Sequence, residues 1–293
     1  MPSGKNMLMQ NGESLSLDHQ QSRRIELDLL LEAIYRKYGY DFRNYSRASV
    51  KRRIERRMLQ ESIASISELQ RRVLYEKEFF ETLLLDLSVN VTEMFRDPGF
   101  YRAVKQKVLP CLKSCSFIRL WHAGCSTGEE VYSMAILLKE EELYEKSRIY
   151  ATDFNEKVLR SAKEGIFPSQ DIQLSTSNYR ASGGNASFAD YYTARYEHAI
   201  MNRELKDHIV FSDHNLATDR SFGEMEIIVC RNVLIYFDKT LQSRALTLFR
   251  DSLSAGGFLC LGTRESIRFA DCSADFEDFD KEYKIYRKKQ APY

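Results

Sequence analysis

The chain has 293 residues, enough for two domains at about 150 residues each, and a composition (43% hydrophobic, 29% charged, 13 Gly, 5 Pro) that is neither disordered nor fibrous. Its longest stretch free of Lys, Arg, Asp and Glu is 12 residues, Ser252 to Thr263, too short for a membrane span of about 20, and the first twenty residues hold no apolar signal-peptide core. The six Cys and five His lack zinc-ligand or disulfide-scaffold spacing, so a cytoplasmic protein with reduced thiols and no metal is expected.

In chain order, residues 1–20 read as a disordered leader, and residues 21–88 as an all-helical domain. Ile25, Leu29 and Ala33, with Leu30, Ile34 and Tyr38, keep helical spacing, and Gly39 supplies a stop. Val50, Ile54 and Met58 form a second stripe. Ser65-x-x-Glu68 and Ser67-x-x-Gln70 both match a capping box for a third helix, and Phe79 to Leu87 continue a fourth. The net charge of +1 hides an asymmetry here. Between Arg43 and Arg57 stand seven basic residues and one acid, Glu55, a local field that attracts an acidic partner.

Residues 89–293 alternate short β-type runs (Phe117–His122, Arg148–Thr152, His208–Phe211, Glu226–Cys230, Phe258–Leu261, Glu282–Arg287) with helices over Pro98–Leu112, Glu129–Glu142, Asn155–Ala162 and Asp238–Leu253. The fold class is therefore α/β, a doubly wound sheet, with a last strand that runs antiparallel after a loop of about twenty residues. A polar stretch at about 171–207, with a Tyr/Arg-rich hairpin candidate, reads as an inserted subdomain. From the 293-residue length no appended repeat or response domain is expected.

Three clusters could carry chemistry. The first strand runs into Ala-Gly-Cys-Ser-Thr-Gly-Glu-Glu (123–130), and Asp153 closes the second strand, where a carboxylate can accept both ribose hydroxyls. A phosphate-binding loop would need Gly-Lys-Ser/Thr, and a pyrophosphate would meet Glu129 and Glu130 at the helix start. S-adenosylmethionine, with a ribose and positive charges but no phosphate, fits better. Gly124 to Gly128 also match the G-x-S-x-G nucleophile elbow, yet no His follows His214 to complete a triad. Asn90, Thr92 and Arg96 lie together before the sheet, and Arg231, Asn232 and Tyr236 lie just past the fourth strand.

N-x-T-x-x-x-R (90–96), S-T-G-E-E-x-Y-S (126–133), Asp153, Asn215-Leu216 and C-R-N-V-x-I-Y-F-D (230–238) resemble, in order, the chemotaxis receptor glutamate methyltransferases, the CheR family. The resemblance runs from about Leu27 to Lys288. It implies that Asn90, Thr92, Arg96, Glu130, Asp153, Asn215, Leu216, Arg231 and Asn232 hold S-adenosylmethionine, leaving S-adenosylhomocysteine after transfer. It also implies that Arg96 and Tyr236 lie beside the transferring methyl, and that Arg53, Arg56 and Arg57 face the acidic methylation helices of a membrane chemoreceptor. A glutamate, with a pKa of about 4.3, is already ionised and needs no general base, so the enzyme would supply positioning. Some members capture a receptor pentapeptide on a glycine-rich hairpin. Residues 192–205 here are shorter and lack glycine, so a tether-independent member, monomeric by default, is expected. Leu-Gly-Thr-Arg-Glu-Ser (261–266) departs from the more usual Gly-His-Ser-Glu, which leaves the role of the Thr263-Arg264-Glu265 loop open. A nucleic-acid methyltransferase is the alternative function, against which stand the near-neutral charge and the lack of an Asn/Asp-Pro-Pro-Tyr/Phe segment.

Overall fold

The computed structural model describes residues 5–290, with side chains described from Gln20 onward. The chain divides into two compact units, Met1–Ser88 and Val89–Tyr293.

The first unit is four helices: α1 (Lys5–Tyr38), α2 (Arg47–Gln60), α3 (Ile66–Tyr75) and α4 (Lys77–Leu87). Residues 5–20, expected as a disordered leader, are backbone helix continuous with α1, while residues 1–4 lie outside the described residues. The apolar face of α1 also differs from expectation. Ile25 and Leu29 are exposed, and Leu27, Leu30, Leu31 and Ile34 enter the core with Val50, Ile54, Leu69, Val73, Phe80 and Leu83. With apolar residues on both sides of α1, spacing alone did not choose the buried one. Tyr38 stacks on Phe80 at 3.6 Å between centroids and donates to Val73 O at 2.8 Å. Of the two capping candidates, Ser65 is the cap, accepting from Glu68 N at 3.1 Å. Ser67 instead donates to Glu26.

The second unit follows the α/β pattern. Helix α5 (Pro98–Ala103) and α6 (Leu109–Leu112) are joined by a π turn over Val104–Val108. Pro110 has no N–H for the ordinary helical bond, and Leu109 N bonds one residue further back, to Val104 O. Then come β1 (Ile118–Ala123), α7 (Glu129–Glu140), β2 (Ser147–Asp153), α8 (Glu156–Glu164), β3 (Ile166–Pro168), α9 (Ile172–Ala181), β4 (Tyr192–Arg195), β5 (His198–Met201), β6 (Ile209–Asp213), β7 (Met225–Cys230), α10 (Lys239–Ser252), β8 (Leu253–Leu261), β9 (Phe276–Asp280) and β10 (Ile285–Lys288). The main sheet has the order β6-β2-β1-β7-β8-β10-β9. Strands β6, β2, β1, β7 and β8 are mutually parallel, and β10 is antiparallel to both neighbours. The antiparallel last strand is as expected. The loop before it, however, contains edge strand β9, whose Phe-Glu-Asp-Phe-Asp alternation is too short and acidic to stand out.

The insertion begins at β3, five residues before the expected start, and forms a separate three-stranded sheet, β3-β5-β4. The hairpin candidate is β4–β5. Central strands β1 and β7 are buried almost throughout, as a sheet covered on both faces requires. All six cysteines are free thiols, and among the described residues no helix is long and apolar enough to cross a membrane.

Candidate functional site

Strands β6, β2, β1 and β7 end at one edge of the sheet, the edge at which open α/β sheets bind ligands. The loop after β1 is drawn onto β2: Gly124 N and Cys125 N donate to Thr152 O at 2.8 and 2.9 Å, and Ser126 N donates to Asp153 Oδ2 at 3.0 Å. Gly124 has φ +78°, and a Cβ there would stand 2.7 Å from Val233 Cγ2, so glycine allows the β1 and β7 loops to meet. Ser126, at φ +52°, has the strained turn of a nucleophile elbow. Its Oγ is buried and, among the described residues, has no hydrogen-bond partner, histidine included.

Asp153 is 7% exposed. Its second oxygen accepts Asn155 N at 3.0 Å, and burial pushes its pKa up to about 6 despite these amide bonds. His214 N donates to Asp153 O at 3.2 Å, bringing the Asn215-Leu216 loop to the same edge. Asn215 closes its turn by accepting from Ala217 N at 2.9 Å, and Leu216 is buried.

Arg231 does not lie open as the expected cofactor ligand. Its side chain is 1% exposed, pairs with Glu130 and Asp97, donates to Arg96 O at 3.2 Å, and lies 4.2 Å over the Phe100 ring. It locks the segment carrying Asn90, Thr92 and Arg96 to the sheet. That segment is held twice more, by Phe95 N donating to Ser133 Oγ at 2.8 Å and by Asn178 donating to Met94 O at 3.1 Å. Arg96 is half-buried and donates to Val91 O at 3.1 Å.

The pairing also revises the electrostatic argument from Glu129 and Glu130, since Arg231 neutralises one of them. Glu129 remains, accepting from Thr127 Oγ1 at 2.7 Å, with burial pushing its carboxyl up. With Asp153 and Asp97 the edge still holds more carboxylates than guanidiniums. The imidazole of His122, behind the loop on β1, is pushed down to about 3 by burial and by Arg231, so it stays neutral.

Past β7, Asn232 has φ +60° and a buried Oδ1 without a partner, and Tyr236 is half-buried at the end of a short turn (Leu234–Tyr236). The open question over residues 263–265 resolves into Glu265, which is 4% exposed and accepts N–H groups from the Asn232 loop. Sequence reasoning left the role of Glu265 open and passed over Asp97, Ser133 and Asn178. Ser133 stands inside a quoted motif and Asp97 directly follows one, but Asn178 carried no signal.

In the helical unit, the three nominated arginines separate. Arg53 donates to Asp86 O at 2.8 Å and Arg57 to Asp86 Oδ2 at 2.6 Å, holding the end of α4. Arg56 is exposed, as are its α2 neighbours Lys51 and Arg52. Among the described residues, no cluster of His, Cys, Asp and Glu could hold a metal ion.

Residues 90–283 match the family model for the CheR methyltransferase SAM binding domain, and residues 25–88 match that for the CheR methyltransferase all-alpha domain. The chain is 52% identical over 269 residues to Cher3 of Pseudomonas putida, covering 92% of this chain and 98% of that one. It is 28% identical over 236 residues to a chemotaxis protein methyltransferase of Listeria innocua, covering 80% and 87%. It is 29% identical over 230 residues to chemotaxis protein methyltransferase 1 of Pseudomonas aeruginosa, covering 74% and 81%. The strand-edge cluster thus lies inside a matched cofactor-binding domain preceded by its matched helical one, and the chain belongs to the CheR family of S-adenosylmethionine-dependent methyltransferases.

Proposed function

We infer that the chain esterifies glutamate side chains on the methylation helices of chemoreceptors, acting in the cytoplasm as a monomer. The observation that carries this reading is the strand-edge cluster within a matched methyltransferase domain, a site whose groups can position an acceptor that is already ionised. S-adenosylmethionine supplies an electrophilic methyl on a sulfonium. The residues present fit it. Ser126 Oγ and Asn232 Oδ1 are buried polar atoms without partners, which a polar ligand would satisfy. Asp153 is a strand-end carboxylate suited to a ribose, and the carboxylate-rich edge suits a cation.

In this reading Asp153 takes the ribose hydroxyls, Asn215 and Leu216 border the adenine, and Glu130, with one oxygen on Arg231, takes the ammonium with its other. Asn90, Thr92 and Asn232 complete the pocket. Arg231 contributes from behind, by fixing Glu130 and the Arg96 segment. The acceptor carboxylate is ionised at neutral pH, so no proton need be removed before attack. Arg96 and Tyr236 orient it, and such positioning is worth roughly 7–11 kcal/mol of the barrier. A bidentate grip by Arg96 would blunt the nucleophile, and its donation to Val91 O engages part of the guanidinium elsewhere.

The exposed Arg56, with Arg52 and Lys51, meets the acidic receptor helix, while Arg53 and Arg57 keep α2 on α4. The short β4–β5 hairpin takes no receptor pentapeptide, and calorimetry with that peptide is expected to give no micromolar binding. The activity is tested by incubating the chain with radiolabelled cofactor and chemoreceptor membranes. Base-labile label on a receptor-sized band supports the reading, and base-stable label or none contradicts it.

A further inference from the structure

Glu265 stands in the turn after β8, and its carboxylate collects amides from two separate loops. Oε2 accepts Gly262 N at 2.6 Å and Asn232 N at 3.1 Å, while Oε1 accepts Val233 N at 2.9 Å and Ile235 N at 3.3 Å. Its own N–H returns to Gly262 O at 2.9 Å. Among the described residues it has no ion pair; burial pushes its carboxyl up, and these amides form a nest that opposes the shift.

The bound loop amides run from Asn232 to Ile235, one residue short of Tyr236, and include Asn232 at φ +60°, a strained conformation that these bonds help to hold. Gly262 leaves room for the arrangement: a Cβ there would lie 2.8 Å from Glu265 Oε2 and 2.9 Å from Asn232 N. We propose that Glu265 is a positioning residue of the methyl-transfer site, a carboxylate clamp that fixes the Asn232–Tyr236 loop through its backbone. The proposal rests on the site reading above and assigns a role to Gly262 and Glu265, the two positions of this segment that keep the Gly-His-Ser-Glu pattern while Thr263 and Arg264 depart from it.

A carboxylate offers acceptors on both oxygens, whereas glutamine would turn an NH₂ toward backbone N–H groups. Two variants therefore attack the clamp from opposite sides, Glu265→Gln from the carboxylate and Gly262→Ala by crowding it. Asp280→Asn is the control. Asp280 is 7% exposed and also accepts two backbone N–H groups, from Glu282 and Tyr283 at 3.0 Å each, but on edge strand β9.

The full-length variants are compared by amide hydrogen exchange over residues 231–237 and by calorimetry with S-adenosylhomocysteine. Glu265→Gln and Gly262→Ala are expected to speed exchange at 232–235 and weaken affinity by about tenfold each, the scale of a lost hydrogen bond to a charged group. Exchange in β1 and β2 stays unchanged, and Asp280→Asn keeps wild-type affinity within about twofold. Unchanged loop exchange and affinity in Glu265→Gln, or an equal loss in Asp280→Asn, would overturn the proposal. Neither measurement needs a receptor, so a failure of receptor methylation leaves this test standing.

Discussion

Asp153 shows what one residue gives up to serve the site. Buried at the end of β2, its carboxyl titrates near 6 instead of the usual carboxylate range. A raised pKa means that the folded protein holds this proton more tightly than the unfolded chain, so ionising Asp153 costs stability as pH rises through about 6. Ligand binding runs the opposite way, because only the ionised form accepts two hydroxyl protons. Affinity for S-adenosylhomocysteine should be level above about pH 7 and fall as pH drops through about 6. Glu129, also pushed up by burial, adds to the same side. Calorimetry from about pH 5 to pH 8 measures this. Asp153→Asn is expected to bind weakly throughout and to lose most of the inflection, and an unshifted inflection would remove Asp153 from the site. Tyr236→Phe should keep that affinity within about twofold while kcat falls about tenfold or more. Unchanged kcat would remove Tyr236 from the mechanism. These residues were legible because motif and strand end coincide. Arg231 was legible as a site residue but not in its manner of acting, since a motif does not show which carboxylates a guanidinium meets.

At the scale of elements, the cluster of Arg231, Glu130 and Asp97 joins the start of α7, the end of β7 and the Asn90–Asp97 segment. Arg231→Ala leaves the Glu130 carboxylate buried without its partner and should cost about 3 kcal/mol or more. Arg231→Lys should not restore it, because an ammonium cannot span two carboxylates and Arg96 O as a planar fork does. Trp121, the single tryptophan, is buried in β1 and reports unfolding of the second unit in urea. A loss below about 1 kcal/mol would show that the cluster does not bear on stability. The main strands were legible because β1, β2 and β7 each carry a short β-type run ahead of a loop, clearest in Ile227–Cys230 of β7. Strands β3 and β9 were not. Each is short and at an edge, β3 ending on a proline and β9 carrying three acids, so pairing with neighbours makes it a strand more than its own residues do. The exposure of Ile25 and Leu29 likewise depends on which face of α1 meets α3, a tertiary fact.

For the whole molecule, a net charge of +1 conceals a helical unit with exposed arginines and a sheet unit with a carboxylate-rich edge. A double variant, Arg52→Glu with Arg56→Glu, should leave cofactor affinity unchanged and lower receptor methylation about tenfold at low salt. The difference should shrink as ionic strength shortens the Debye length. Equal methylation by the variant would move the receptor contact away from α2. Arg57→Glu belongs to a different class, since it breaks the bond to Asp86 and should lower the stability of the helical unit. The most direct test of the central claim is peptide mass mapping of a purified receptor cytoplasmic fragment after incubation with the chain and S-adenosylmethionine. The account predicts a single methylene of added mass on glutamate side chains of the receptor helices, removed by mild alkali. Added mass on lysine, cysteine or a chain terminus, or transfer only to nucleic acid, would contradict it.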